Sequence, residues 1–376
     1  MDRHRAGSGT LLPGAEGRDG MSDTAKAFWE AKNSRFAVPD PRDEFLHPEA
    51  RVAQPGPELT ETQALGFSVP EHGICGLGYL WHHPNLGVVT GGAWVWRGVQ
   101  PNSLGSDLFD IVTYVDDAVL ADDLHRYRLP NGYEAEVVEP LRTLRARYAD
   151  ESRGSAFEVE FTALAEPMVL ETGFHLEQPM RTHGTLTLAG RQYAVDGYSV
   201  RDRSWGQLRR EVHCDLPPMT WLNGVLGPDL SFGATAFDSP DLKPEWAGTL
   251  EVPGGDPLRA GWICRDGGYS PVVAIRKRTQ RNPATLFPER VDVTLTDDRG
   301  RDLPLRGTIL AASEWRAWHN MSSFMCLARW ETPDGRVGHG DFQDILSSGY
   351  LRHFLPRAWS GDEHLGQREG PVRPGR

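Results

Sequence analysis

Residues 184–206 read GTLTLAGRQYAVDGYSVRDRSWG, and the fold class follows from them. Leu186 and Leu188 alternate with Thr185 and Thr187, which gives one apolar and one polar face at the period of a strand. Ala189, Gly190 and Arg191 form a short connection in which Gly190 can take the positive φ that hairpin loops need. Tyr193, Val195, Gly197 and Ser199 continue a second strand, which delivers Arg201, Asp202, Arg203, Ser204 and Trp205 to its far end. A rigid hairpin holds such residues in fixed geometry, as a functional site requires.

Outward from the hairpin the pattern stays β. Leu77, Tyr79 and Trp81 alternate, as do Trp94 and Trp96, and Phe157, Val159 and Phe161 share one side of AFEVEFTALA (156–165). Residues 291–310 read as a hairpin around Asp297-Asp298-Arg299-Gly300, and residues 323–343 as another across Pro333-Asp334-Gly335. Residues 39–70, punctuated by prolines, read as an irregular approach to the first sheet, and residues 167–179 as a crossing between two units. Many short strands with turn signals every eight to twelve residues predict an all-β chain of sandwich or barrel type. With 376 residues, two packed β domains are expected. DTAKAFWEAKN (23–33) predicts one short helix, and residues 1–22 and 359–376 read as a polar leader and tail without order.

Composition excludes several classes of function. A net charge of −12 argues against a nucleic-acid partner. No run of about eighteen apolar residues exists to span a membrane. Four scattered cysteines, Cys75, Cys214, Cys264 and Cys326, form no CxxC pair and read as reduced thiols of a cytoplasmic protein. There is no Gly-rich nucleotide loop, no G-x-S-x-G elbow and no H-E-x-x-H, so neither cofactor nor metal is expected. His82 and His83 are adjacent on a strand and point to opposite faces, which is wrong for holding one ion.

The Gly-bearing hairpin followed by Asp202, Ser204, Trp205 and Gly206 resembles the lipocalin-like (calycin) superfamily that contains carotenoid 1,2-hydratases, AttH-type proteins and lipocalin-like Diels-Alderases. The hydratase cluster is similar to His-Asp-His-Asn-Trp-Gly. Here Asp, Trp and Gly match, while both His positions are Arg201 and Arg203. The resemblance implies an N-terminal β domain (61–175) reached through an arm (23–60), a C-terminal lipocalin-like barrel (176–358), and a ligand cavity at or between them. It also implies an acid at Asp238, where Ala236-Phe237-Asp238 stands for a family Tyr-x-Asp, and a cavity-lining Trp205.

An apolar cavity can run acid chemistry without a cofactor if burial raises the pKa of a carboxyl and aromatic faces shield a cation. Twelve tryptophans suit such a lining. Asp196, Asp202 and Asp238 are the candidate acids, with Tyr198 and His175 as proton relays and Trp205, Trp221 and Phe237 as ligand contacts. Flanking Arg201 and Arg203 would keep Asp202 ionised, which favours an ion pair there over a general acid. Three functions fit: a hydratase or dehydratase acting on a terpenoid-type alkene or a tertiary or allylic alcohol, a pericyclic or cation-type cyclase, and a non-catalytic carrier. The partner in each is a small apolar molecule of terpenoid, carotenoid or steroid-like kind.

Overall fold

A computed structural model describes residues 35–170, 174–209 and 211–355. The leader, the 23–33 helix and the tail expected from the sequence lie outside them. The chain is all-β, built on two sheets. The first, of twelve strands, curls into a half-barrel. Its centre is the long hairpin His175–Leu188 and Arg191–Leu208, turned by Ala189 (φ 46°) and Gly190 (φ 80°). Positive φ at both loop residues is the two-residue turn that matches strand twist. Phe67, Phe157, Val159, Phe161 and Val195 fill the concave side.

The second sheet is an eight-stranded up-and-down barrel that begins at Met219–Val225 and ends at Val337–Ser347. It closes where the last strand, Val337–Ser347, pairs back on the first, Met219–Val225. Its axis is filled by side chains: Trp330 packs against Phe232 and Phe342, and its indole donates to the Asn223 carbonyl at 2.8 Å. The short strand Val99–Gln100 pairs with Asp302–Trp315 and ties the half-barrel to the barrel.

Three expectations change. Leu59–Val69 is a full strand at the middle of the first sheet, because LTETQALGFSV follows the prolines and carries none itself. Residues 167–179 hold the strand Met168–Leu170 and the start of His175–Leu188 instead of a crossing. Sheet membership changes after Leu208 and not near residue 175, since Asp202 pairs with Ala64 and the whole hairpin is ladder-bonded into the first sheet.

Candidate active site

The outer wall of the barrel faces the convex side of the half-barrel across a cavity of about 630 Å³, a volume suited to a small organic ligand. Period-two alternation decides what reaches it. On Arg191–Leu208 the even positions Val200, Asp202 and Ser204 line the cavity, and the facing strand contributes His175 and Glu177. The register sets His175 opposite Ser204 and Glu177 opposite Asp202. His175 bridges its neighbours: Nδ1 lies 2.7 Å from Ser204 Oγ and Nε2 lies 3.0 Å from Glu177 Oε1. From the barrel, Trp221 donates its indole N–H to Glu177 Oε1 at 2.6 Å and Trp262 to Oε2 at 2.5 Å.

Those donors settle the charge of Glu177. Burial pushes its pKa up, but the bonds from His175, Trp221 and Trp262 outweigh burial and hold it below the usual carboxylate value. The contact needs Gly233, where a Cβ would stand 2.5 Å from both Glu177 Oε2 and Trp262 Nε1. Burial also opposes charge on His175, yet the Glu177 carboxylate raises its pKa overall.

Two further carboxyls face the same cavity with the opposite bias. Asp202 is raised to about 6, mainly by burial, with neighbouring Glu177 adding to it and His175, Arg209 and Arg203 opposing it. Asp341 reaches from the barrel toward the first sheet, its Oδ2 3.6 Å from where a Cβ on Gly66 would stand. Burial raises it to about 7; the side-chain bond with Asn223 opposes that, and Asp202 adds to it. Arg209 closes one side, its guanidinium 5.4 Å from the Trp81 ring and 5.3 Å from the Trp318 ring. The cavity therefore holds an ionised carboxylate, two carboxyls with raised pKa of which Asp341 holds its proton to the higher pH, and an imidazole, among tryptophans.

Residues 40–345 match the family described as a domain of unknown function (DUF7064). The chain belongs to the DUF7064 family. A comparison with curated protein sequences gives no match. Among solved structures, this DUF7064 chain is similar to an AttH-like protein from Nitrosomonas europaea, at 13% identity and a TM-score of 0.55, over 84% of this chain and 97% of that one. Kievitone hydratase from Nectria haematococca aligns at 14% identity and a TM-score of 0.47, over 85% and 98%. CghA aligns at 10% identity and a TM-score of 0.42, over 77% and 88%. The lipocalin-like fold expected from the Asp202-Trp205-Gly206 cluster is the fold found. Among the described residues no helix is long and apolar enough to cross a membrane.

Of the residues expected in the DUF7064 site, Asp202, His175 and Trp221 meet at the cavity. The others do not. Asp238 is fully buried inside the barrel, 2.6 Å from Lys277 Nζ and 3.2 Å from Arg281 Nη1, and it accepts from Thr279. Burial alone would raise its pKa, but the two cations hold it below the usual value. Phe237 packs in the barrel core under Arg259. Trp205 shares the odd face with Arg201 and Arg203 and stacks on His47, with ring centroids 4.3 Å apart. Tyr198 lies beyond Val200, packed beside Trp262 and covered by Arg181 at 5.1 Å. Asp196 is exposed and paired with Arg181. The expected Arg clamp on Asp202 is absent: Arg201 bonds Glu44 with two contacts of 2.8 Å and Arg203 bonds Glu61 at 2.6 Å, on the opposite face.

Glu177, Trp262, Asp341 and Arg209 were not singled out in the sequence. For Glu177 a signal existed, because His175 and Glu177 stand two apart on a strand and so share a face. For Asp341 none did, since GHGDFQDIL carries polar residues at both parities.

Proposed function

We propose that this chain adds water to, or removes it from, a small apolar alkene or tertiary or allylic alcohol of terpenoid type, without a cofactor, in the cavity between the two sheets. The observation that carries the reading is the presence of Asp341 and Asp202, two carboxyls raised to about 7 and about 6, in one tryptophan-rich cavity with the ionised Glu177. Environments that push titratable groups apart mark acid and base roles.

In the hydration direction Asp341 donates its proton to the alkene carbon, and the cation forms at the other carbon. Indole faces lower its energy by roughly 0.5–2 kcal/mol each. Water attacks the cation, and ionised Asp202 takes the proton that the oxygen releases. Dehydration runs the same steps in reverse: protonated Asp202 gives its proton to the departing hydroxyl, and ionised Asp341 takes the proton from the carbon next to the cation. The test is incubation of the full chain with a panel of alkenes and alkenols in ¹⁸O-labelled water. Label entering or leaving the alcohol, and lost in Asp341→Asn, supports the reading. Tight ligand binding with no exchange across the panel overturns it and leaves a carrier.

A further inference from the structure

We infer that Ser204, His175 and Glu177 form a nucleophilic triad, and that this cavity also accepts a carboxylic ester with an apolar acyl chain. A Ser-His-carboxylate set is recognised by geometry and roles, not by sequence position. Here Ser204 Oγ is 2.7 Å from one imidazole nitrogen and Glu177 Oε1 is 3.0 Å from the other. All three residues line the cavity.

The proton positions follow from the acceptor. Ionised Glu177 only accepts, so His175 Nε2 carries a hydrogen and donates it. The neutral ring then has its lone pair on Nδ1, facing the Ser204 hydroxyl, which donates to it. Glu177 cannot rotate away, because Trp221 and Trp262 hold one oxygen each at 2.6 and 2.5 Å. The serine itself stands where the ladder breaks: register with Leu59–Val69 is lost between Ser204 and Gln207, and Gly206 takes φ 68°. Such bulges re-aim a side chain. Tyr79 and Arg209, which line the same cavity, are donors of the kind a developing oxyanion needs.

The step balances with water alone. Ser204 Oγ attacks the carbonyl carbon while its proton passes to His175 Nδ1; the carbon–alkoxide bond breaks, and Nδ1 returns the proton to the departing alkoxide. Water, losing a proton to Nδ1, then attacks the acyl carbon, and Ser204 leaves and regains that proton. Glu177 stays ionised throughout. This activity stands apart from water addition to an alkene, and its test does not read that reaction.

The full chain is treated with an alkyl fluorophosphonate, whose phosphorus is attacked by the serine as fluoride departs, and the adduct is mapped by peptide mass. The expected result is one adduct, on Ser204, absent from Ser204→Ala and formed at least about 100-fold more slowly in His175→Gln. Labelling should accelerate as pH rises past 7, because the imidazole must be neutral to take the proton. Mapping and pH dependence use the unmodified chain, so a variant that fails to fold does not remove the test. Absence of any adduct at millimolar probe, an adduct at another residue, or a His175→Gln rate equal to that of the unmodified chain overturns the inference.

Discussion

Glu177 and Asp202 are direct cross-strand partners in the central hairpin, yet their carboxyls are held in opposite states. Glu177 accepts two indole N–H bonds and an imidazole bond, which favour its charge. Asp202, one strand over, is raised mainly by burial; His175 opposes that, and the charge of Glu177 adds to it. The anion that the barrel fixes in place thus keeps its neighbour protonated to a higher pH.

Activity should follow a narrow bell. The proposed base Asp202 must be ionised, which requires pH above about 6, and the proposed acid Asp341 must be protonated, which requires pH below about 7. The two interact, so the limbs belong to the pair. A kcat/KM profile on the substrate found in the panel checks this; a plateau extending to pH 9 contradicts it.

Asp341→Asn should stabilise the fold at pH 8 and change little at pH 4. The carboxyl's folded pKa is about 7, above its ordinary value of 3.8, so the unfolded chain ionises first as pH rises. The unfolded state then binds fewer protons, and stability falls between pH 4 and 7. At about 1.4 kcal/mol per unit the effect is on the order of 2–4 kcal/mol. Urea titrations at both pH values measure it.

Gly233→Ala should disturb the site without touching the barrel core. Its methyl would stand 2.5 Å from Glu177 Oε2 and Trp262 Nε1, so the bond between them must open. Overpacking of this kind costs roughly 1–3 kcal/mol. Trp262→Phe removes the same bond without adding volume, leaving a buried carboxylate one donor short at about 1–3 kcal/mol. If Gly233→Ala melts like the unmodified chain and binds the same ligands with equal affinity, the clamp is not as described.

Asp238→Asn is a stability variant. It leaves Lys277 and Arg281 without their shared carboxylate inside the barrel, a loss of about 3–5 kcal/mol. Protein that still folds should keep its turnover per folded molecule, measured after correction for the folded fraction. Complete loss of turnover in well-folded Asp238→Asn would return the acid role to the barrel interior.

The sequence made the hairpin legible because three signals coincide there: alternation, a Gly-bearing two-residue turn and a charged cluster at a strand end. Asp202 was within reach for the same reason, and His175 and Trp221 through residue type alone, as a proton relay and an aromatic wall. What stayed hidden was the face. In Arg201-Asp202-Arg203-Ser204-Trp205 alternate residues part company, so Trp205 leaves with the arginines for Glu44, Glu61 and His47 while Ser204 stays with Asp202. Phe237 and Asp238 end a barrel strand, and only the closed barrel turns both away from the cavity. A register is a long-range property, and a slip of one residue exchanges every face. The partners of Glu177 lie 44 and 85 residues further along the chain, and no local pattern announces them.

The central claim is that this cavity keeps a carboxylic acid protonated at neutral pH. Carbon-13 NMR of aspartate-labelled full chain, titrated from pH 3 to 9, tests it without knowledge of the substrate. One carboxyl resonance should titrate near pH 7, vanish in Asp341→Asn, and shift to lower pH in Asp202→Asn as a neighbouring negative charge is removed. If every aspartate resonance is fully ionised by pH 5, neither Asp341 nor Asp202 can act as proposed, and the account of this site is wrong.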